Sequence, residues 1–383
     1  MLKVILMIDC ASEFDRRLLR GMMRYSKENG PWQFYRIPSD FRWDRDKESW
    51  ILEWARTWEA DAIIGRWDDA KVGLLSRLNI PIVLQNNSMR SDVYSNLTGN
   101  YEYTGRLAAH FFAKKFYMDY AFYGIENIIW SEERCRGFQE EVEKSNGRFH
   151  CYKAAPDDSF PREEVTAWIE NLPKPVALFC CDDAHALFIT EICMMSQIRI
   201  PEDVMLLGVD NDELLCSISD PPISSIELDV EQGGYMTCKF LDEMVNGELD
   251  KPFNVVVNPV GIVERESTQR YNIADREVEH IVKYIDGHYD KELDMKDLFG
   301  LVPLSRRSVE TRFKKVMDTT LYQYILKKRI NHMAYLLRTT DWAVSDIAYK
   351  VGFGDCFNIA RLFRKYKGCS PMEYRNNSAL FEY

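Results

Sequence analysis

The first 268 residues alternate short apolar runs with longer amphipathic stretches. The apolar runs have the length of β-strands and fall at 4–8, 33–37, 62–64, 82–84, 120–123, 176–179 and 204–208. Between them lie stretches with helical periodicity, at 17–27, 101–115, 134–144, 183–195 and 231–245. Repeated strand–helix units predict an α/β architecture, with doubly wound parallel sheets that helices cover. Ligands bind such sheets at the carboxyl ends of the strands.

From about residue 276 onward the pattern becomes helical throughout. Apolar stripes at helical spacing predict an opening helix and a long connecting helix. The opening stripe consists of Val278, Ile281, Val282 and Ile285, and the connecting stripe of Leu326, Ile330, Met333, Ala334 and Leu337. We therefore predict an all-α module of seven helices, in which two helix-turn-helix units flank the connecting helix.

The first helix-turn-helix unit is expected between residues 294 and 316. Asp294 is expected to cap a short helix, Gly300 to turn the chain, and Ser305 to cap a second helix. The inward face of that second helix is predicted to be Val309, Phe313 and Val316. Its outward face carries Arg307, Glu310, Thr311 and Lys314, with Arg306 beside them.

The second unit is expected between residues 344 and 365. An apolar stripe predicts one helix, which Ser345 caps and Gly352 ends with a positive φ. Asp355 is expected to cap a second helix whose inward face is Ile359 and Phe363. The outward face of that helix carries Phe357, Asn358, Arg361, Arg364 and Lys365. Helix pairs with short turns are common, so this geometry alone leaves DNA binding and plain bundle packing about equally open.

Charge is distributed unevenly along the chain. The net charge is −11, yet residues 276–383 carry 19 Lys and Arg against 14 Asp and Glu, while the remainder carries 30 against 46. A basic module joined to an acidic one is typical of a DNA-binding domain attached to a sensor.

Several function classes find no support in the sequence. Ten cysteines occur without a C-x-x-C motif and six histidines without a His/Cys cluster, so reduced thiols and no metal site are expected. No G-x-S-x-G, P-loop or G-x-G-x-x-G motif is present, and no pair of catalytic carboxylates is apparent, so no enzyme activity is expected. No apolar run approaches the roughly 20 residues of a membrane span. The N-terminus begins directly with a strand, so a cytoplasmic protein is expected.

The residues of the second helix-turn-helix unit make its function more specific. At their spacings, Ile347-Ala348, Val351-Gly352-Phe353, Phe363-Arg364-Lys365, Ser370-Pro371 and Tyr374-Arg375 resemble the C-terminal signature of the AraC/XylS family of transcription regulators. The resemblance spans about residues 276–376 and implies binding to double-stranded DNA. Pro303 departs from the family pattern.

This resemblance implies roles for the residues on the two recognition helices. Base-facing positions are Arg307, Glu310 and Thr311 on the first helix, and Cys356, Phe357 and Arg361, with Asn358 beside them, on the second. Arg306, Lys314, Arg364 and Lys365 are expected to contact phosphates, which supply affinity without sequence information. Each of these charges could instead belong to a solvated helix face.

Polar residues that follow the apolar runs carry a second resemblance. Cys180-Cys181-Asp182-Asp183, Gly208-Val209-Asp210-Asn211 and Glu264-Arg265-Glu266-Ser267-Thr268 resemble, in order and spacing, the effector domain of the LacI/GalR repressors. This implies two lobes of the periplasmic-binding-protein type, with a sugar held in the cleft between them. Gly99 stands where the family has an acidic residue.

The expected domains are a sugar sensor at 1–268, a linker at 269–275 and a DNA-binding domain at 276–383. Three strands are expected to cross between the lobes, near 96–100, 224–228 and 257–260.

The LacI/GalR resemblance also implies candidate sugar ligands. They are Asp210, Asp182 and Arg134, with Phe14, Arg16, Asp68 and Asn86 from the first lobe, while Trp67 or Phe160 could stack on the sugar. Carboxylates and guanidinium groups suit a sugar because each can bond two hydroxyls strongly. Structural interpretations stay open for several of them. Asp183 is expected only to cap a helix, Arg134 could pair with Glu133 or Glu140 on the surface, and Phe14 and Trp67 could belong to the core.

Together the two resemblances predict a sugar-responsive DNA-binding transcription regulator. It is expected to be an activator, to form a homodimer and to contact RNA polymerase, and to need no cofactor. The expected effector is D-xylose or a related sugar, with another pentose or a small glycan fragment as the alternative. An alternative from a different class is a carbohydrate enzyme with a DNA-binding appendage.

Overall fold

The computed structural model describes the chain apart from residues 9, 38–46, 68, 86–87, 116–117, 270–274, 292, 355–357 and 377–383, and apart from the side chains of residues 47–49, 69–71 and 339. The chain separates into two compact units, Met1–Arg270 and Tyr271–Tyr383. None of the helices in the described part combines the length and the apolar character that crossing a membrane requires.

The first unit contains two six-stranded sheets, one in each of two lobes. The strands of the first lobe are β1 (Lys3–Met7), β2 (Gln33–Arg36), β3 (Ala62–Gly65), β4 (Ile82–Leu84), β5 (Ser95–Gly99) and β11 (Asn254–Val257). Those of the second lobe are β6 (Asp119–Ile125), β7 (Arg148–Ala154), β8 (Val176–Cys180), β9 (Val204–Val209), β10 (Ser224–Leu228) and β12 (Pro259–Val263). The strand orders are β11-β5-β4-β3-β1-β2 and β12-β10-β9-β8-β6-β7, and among these described strands only the β10–β12 pair is antiparallel.

Helices connect and cover these strands. They are α1 (Glu13–Asn29), α2 (Lys47–Thr57), α3 (Tyr101–Ala113), α4 (Ile129–Lys144), α5 (Arg162–Asn171), α6 (Asp183–Met195), α7 (Glu213–Ile218) and α8 (Val230–Val245), with 3₁₀ turns at Asp69–Arg77 and Glu266–Thr268. Every strand and helix predicted from the apolar pattern is present, which confirms the two-lobed α/β prediction. The apolar pattern missed β7, because it lies at a sheet edge and mixes charged with apolar residues.

The chain passes between the two sheets three times, next to Asn100, Asp229 and Asn258. These crossing residues are bonded to one another. Nδ2 of Asn100 donates to Oδ1 of Asn258 at 3.0 Å, and the backbone N–H of Asp229 donates to the carbonyl oxygen of Asn258 at 2.9 Å. The three connections therefore form one hinge.

Each lobe contains a pair of helices that pack backbone to backbone through glycines. In the first lobe, a Cβ on Gly21 of α1 would clash with the carbonyl oxygen of Glu231 on α8, and Gly234 of α8 meets α1 in the same way. In the second lobe, Gly105 of α3 and Gly137 of α4 make the equivalent approach. Only glycine allows helices to come this close, because any side chain would occupy the space of the neighbouring backbone.

The second unit contains seven helices among its described residues, as predicted. They are α9 (Arg276–His288), α10 (Met295–Gly300), α11 (Arg306–Met317), α12 (Leu321–Thr339), α13 (Val344–Lys350), α14 (Ile359–Lys367) and α15 (Pro371–Asn376). The predicted stripes of α9 and α12 are buried throughout. The side chain of Asp294 caps α10, that of Ser305 caps α11, and Gly352 has a φ of 92°.

Three predictions for this unit were wrong. Gly300 does not turn the chain, because it is the last residue of α10 and Leu301 is the C-cap of that helix. Ser345 does not cap α13, because the helix begins one residue earlier, at Val344, with Ala343 at its N-cap. Val316 is 37% exposed, because α11 ends at the next residue and its last turn is only partly covered. The cap predicted at Asp355 lies outside the described residues.

Candidate sugar site and nucleic-acid interface

Three arginine side chains of the first lobe reach the second lobe. Arg17, on α1, forms an ion pair with Glu227, and its guanidinium donates to the carbonyl oxygens of Leu228 at 3.0 Å and Asp210 at 3.4 Å. Arg16 lies 3.9 Å from Asp212 across the same gap. These contacts place the start of α1 opposite the carboxyl ends of β9 and β10. The cleft of the first unit therefore lies where parallel sheets bind ligands.

The third of these arginines makes a more ordered contact. Nη1 and Nη2 of Arg90, which follows β4, donate to the two carboxylate oxygens of Glu133 on α4 at 2.6 and 2.7 Å. Nε of Arg90 also donates to Oγ1 of Thr98, at 3.0 Å. A planar fork of this kind fixes orientation as well as distance. Arg90 and Glu133 thus join the first lobe to the helix that carries Arg134.

Arg134 is buried, with 3% of its surface exposed, so it forms no surface pair with Glu133 or Glu140. Its Nη1 donates to the carbonyl oxygen of Cys181, and its Nη2 lies 3.8 Å from Oδ1 of Asp210. The guanidinium carbon also lies 5.5 Å from the ring centroids of Tyr101 and Trp130. Aromatic faces and a single carboxylate hold this cation in place. The structure thus brings Arg134 and Asp210 together at the cleft.

Asp210 follows β9 directly and has a φ of 99°. Burial raises the pKa of its carboxyl to about 6, against the opposing effect of Arg134. Oδ1 of this residue has no hydrogen-bond partner. The group is therefore a carboxylate near its titration point, with a free acceptor.

The structure distinguishes the two acidic residues that follow β8. Asp182, not Asp183, caps α6, because its Oδ1 accepts the backbone N–H of His185 at 2.8 Å. The same oxygen lies 2.6 Å from Nδ1 of His185. Asp183 is 2% exposed and accepts from Oγ of Ser225 at 2.6 Å and from the N–H of Asp212 at 2.8 Å. The expectation that Asp183 is only a cap was wrong, because the helix begins at Asp183 itself and the residue before it is the N-cap.

Buried polar atoms without a hydrogen-bond partner concentrate at this cleft. Of the seven such side-chain atoms in the described residues, three belong to residues that come directly after β3, β4 and β9, and two belong to Arg134 and His185, which contact residues that follow β8 and β9. These five are Nε of Arg66, Oε1 of Gln85, Nε of Arg134, Nε2 of His185 and Oδ1 of Asp210. The other two are Nε1 of Trp54 and Oγ of Ser219. Since buried polar groups are normally paired, a cluster of unpaired ones indicates a missing ligand.

Sequence reasoning missed three members of this cluster. Arg66 and Gln85 are the first residues after β3 and β4, so their positions after the predicted strands 62–64 and 82–84 were available as a signal. His185 gave no such signal, because its place beside Asp182 depends on the helix cap. Burial lowers the pKa of His185, but Cys181 and Asp182 outweigh that effect, and its pKa lies well above the usual value.

The aromatic and first-lobe candidates for sugar binding lie in different environments. Phe160 is 46% exposed, and its ring stacks on that of His185 with centroids 4.6 Å apart and planes 9° apart. Trp67 is buried in the core of the first lobe, and Phe14 packs partly buried against apolar core residues. Arg16 donates to Glu13 and to the carbonyl oxygens of Cys10 and Ala11, which precede α1. Asp68 and Asn86 lie outside the described residues.

One cluster of possible metal ligands occurs in the described residues, although none was expected. Cys181, Asp182 and His185 offer ligand atoms that lie within 4.8 Å of one another. The sequence did not suggest it, because the three residues meet only through the turn from β8 into α6. Burial raises the pKa of the Cys181 thiol to about 11, so this group keeps its proton at neutral pH. The cluster is better explained as the hydrogen-bonded edge of the cleft.

The predicted DNA-contacting residues in the described part of the second unit are all exposed. On α11 they are Arg306, Arg307, Glu310, Thr311 and Lys314, and on α14 and at its start they are Asn358, Arg361, Arg364 and Lys365. Cys356 and Phe357 lie outside the described residues. Arg306 pairs with Glu310 at 2.9 Å and Arg364 with Glu373 at 3.4 Å, and both pairs are solvent-exposed. Pairs of this kind contribute little and can exchange for phosphate.

Comparisons with known proteins agree with this division. Residues 108–268 match the model of a periplasmic binding protein-like domain, and residues 301–377 match that of a helix-turn-helix domain. The xylose operon regulatory protein of Escherichia coli K12 is 26% identical, and that of Haemophilus influenzae 25% identical, each over 98% of this chain and 97% or 98% of its own. The melibiose operon regulatory protein of Escherichia coli is 34% identical over 32% of this chain. These relatives are regulators, not enzymes.

Solved structures show the same fold. That of a xylose-binding transcription activator is 23% identical and superposes with a TM-score of 0.60, covering 98% of this chain and 97% of the other. A LacI-type regulator from Alkaliphilus metalliredigens, solved with D-xylulofuranose, covers 70% of this chain at 18% identity and a TM-score of 0.57. The chain thus joins a periplasmic binding protein-like domain to a helix-turn-helix domain, and it is a homologue, along nearly its whole length, of the xylose operon regulatory proteins.

Proposed function

We propose that this chain is a transcription regulator that binds a small sugar in its interlobe cleft and binds promoter DNA through its second unit. The observation that carries the proposal is the set of unpaired polar atoms on Arg66, Gln85, Arg134, His185 and Asp210. D-xylose is the first candidate effector, because xylose appears in the names of the relatives that match 98% of the chain. Activation of pentose-utilisation genes, a homodimer and contact with RNA polymerase belong to the same proposal.

The chemistry of these atoms suits a sugar. The two Nε–H groups of Arg66 and Arg134 can only donate, whereas Oδ1 of Asp210 and Oε1 of Gln85 accept, and Nε2 of His185 can do either. A sugar hydroxyl both donates and accepts, so neighbouring hydroxyls can satisfy donors and acceptors together. The exposed ring of Phe160 adds an apolar surface at the same edge. An aliphatic or purely anionic ligand would leave part of this set unpaired.

Sugar binding can change the DNA affinity of the second unit only if it favours one conformation of the first unit, with its cleft either open or closed. The contacts of Arg17 and Arg90 already join the lobes, and a ligand that touches both lobes adds to these contacts only when the cleft is closed. A ligand shifts such an equilibrium by its difference in affinity for the two states. We therefore expect sugar to favour the closed cleft and to change the affinity for DNA.

Calorimetric titration of the full chain with D-xylose, other pentoses, hexoses and short glycans tests the first step. Arg134→Ala is expected to weaken sugar binding at least about tenfold, since a charged hydrogen bond contributes about 1.5–3 kcal/mol. Lys144→Ala is the matched control, because Lys144 lies on the same helix but is exposed and pairs with Glu141, away from the cleft residues. Equal losses in both variants, or no binding of any sugar, would refute the site.

Operator affinity with and without the bound sugar tests the second step. We expect a sugar-dependent change in affinity for the promoter fragment and no change for a scrambled duplex. An identical affinity with and without a sugar that demonstrably binds would refute the coupling. Turnover of the sugar in the same samples would favour the enzyme alternative.

A further inference from the structure

A row of three contacts fixes the edge strand β7 against helix α4. The rings of Phe149 and Phe138 lie 6.1 Å apart, and Nζ of Lys153 donates to Glu132 at 2.5 Å. Between these two contacts the sulfurs of Cys151 and Cys135 lie 3.7 Å apart. Residues two apart on a strand share a face, and residues three apart on a helix do likewise, so the flanking contacts align the thiols.

The two thiols differ in access and in acidity. Cys135 is 4% exposed, whereas Cys151 is exposed. The hydrogen bond between the two thiols and, after it, the ammonium group of Lys153 lower the pKa of the Cys151 thiol below its ordinary value. The same hydrogen bond and burial raise the pKa of Cys135. The reactive species of cysteine is the thiolate, so Cys151 is the nucleophile of the pair.

We propose that Cys151 and Cys135 form a peroxide-sensitive thiol pair, in which Cys151 reacts first and Cys135 resolves the product. The Cys151 thiolate attacks one oxygen of hydrogen peroxide, the O–O bond breaks, and Cys151 sulfenic acid and hydroxide form. The Cys135 thiol then attacks the sulfenic sulfur, and its proton leaves with the displaced hydroxyl as water. The two sulfurs lose two electrons in total and peroxide is reduced to water and hydroxide, so the sequence balances.

The pair adjoins the candidate sugar site. Cys135 directly follows Glu133 and Arg134 on α4, which contact Arg90 and Asp210. A disulfide brings its sulfurs to about 2.05 Å, so the side chains of α4 and β7 must approach each other from 3.7 Å. The bond would then tie the helix that carries Arg134 to the sheet edge. We expect oxidation to weaken sugar binding several-fold.

The chemical step can be tested without any sugar. The full chain is treated with equimolar hydrogen peroxide, its free thiols are blocked with N-ethylmaleimide, and its peptides are mapped by mass spectrometry. We expect a cross-linked pair of peptides containing Cys135 and Cys151, about 2 Da lighter than the sum of the reduced peptides, which dithiothreitol removes. Cys369→Ser, in the second unit, is the control and is expected to give the same cross-link.

Two variants separate the roles of the thiols. In Cys135→Ser, dimedone is expected to trap a sulfenic acid on Cys151, whereas in Cys151→Ser the buried Cys135 is expected to stay reduced. The melting temperature of each variant establishes that it is folded. A cross-link to a different cysteine, sulfinic acid without a disulfide, or faster modification of Cys135 than of Cys151 would each overturn the proposal.

The regulatory consequence rests on the proposed function and is measured separately. Sugar affinity is compared between peroxide-treated and dithiothreitol-treated protein, with Cys151→Ser in parallel. A several-fold loss that dithiothreitol reverses and that is absent in Cys151→Ser supports the coupling, and an unchanged affinity overturns it. If the reduced protein binds no sugar, the proposed function fails while the mapped disulfide still decides the thiol chemistry.

Discussion

Acidification should weaken sugar binding through Asp210. Burial places the pKa of this carboxyl at about 6 in the free protein. Sugar hydroxyls that donate to Oδ1 favour the ionised form, so binding should lower this pKa and release a proton. The affinity for sugar is therefore highest well above pH 6, where Asp210 is ionised, and it falls as the pH drops through 6.

The size of the effect follows from the fraction of ionised carboxyl. With a pKa of about 6, nearly all Asp210 is ionised at pH 8 and about one tenth at pH 5, so affinity should fall about tenfold. The neighbouring Asp182 has its pKa lowered, burial notwithstanding, by His185, so it stays ionised through this range. Burial raises the pKa of the neighbouring Asp183 well above its usual value, so a variant of Asp210 is needed to separate the two titrations.

Calorimetry at pH 5, 6, 7 and 8 measures this profile, and buffers with different ionisation enthalpies report the released proton. Asp210→Asn is the matched variant, since it keeps the shape of the side chain but cannot titrate. Its affinity should be lower at pH 8 and nearly independent of pH. An equally steep profile in Asp210→Asn, or tighter binding at pH 5 than at pH 8, would refute the reasoning.

Three further predictions concern the second unit. Arg361→Ala should relax base preference at one position by about 1–3 kcal/mol. Lys365→Ala should weaken binding to specific and scrambled duplexes alike. Equal effects of both variants in mobility-shift titrations would contradict these roles. Gly352→Ala should lower the free energy of unfolding by about 1–2 kcal/mol in a denaturant titration, because the φ of Gly352 is 92° and a Cβ would meet the backbone of Asp290. Gly354→Ala is the control and should leave the stability unchanged, because a Cβ at Gly354 would meet no other atom. Phe313→Ala should cost about 3–5 kcal/mol in the same assay, because that ring is fully buried.

The apolar pattern predicted most of the fold for a physical reason. Central parallel strands such as β8 and β9 are buried on both faces, so their sequences are continuously apolar. The edge strand β7 needs no such sequence and was missed. Ser345 was assigned as a cap because its residue type suits one, but the backbone begins α13 at Val344.

The candidate site was predictable only in part. Asp210 and Arg134 could be placed because their surroundings in the sequence resemble a known effector domain. Arg66 and Gln85 directly follow strands, which is a signal that the sequence offered, whereas nothing in the local sequence singles out His185. All three are notable because their polar atoms are buried and unpaired. This burial comes from side chains that are distant in the sequence and that only the folded lobes bring near these atoms. Local sequence cannot report such a property.

The glycine contacts between α1 and α8, and between α3 and α4, limit how the sensor can respond. Where two backbones already touch, neither helix can press closer, and sliding would push the carbonyl of one against the next side chain of the other. A displacement of Arg134 by a ligand therefore cannot be absorbed by small shifts between these helices. We therefore expect each lobe to turn as one piece about Asn100, Asp229 and Asn258, so that a short displacement at the sugar becomes a longer arc at the far end of the lobe.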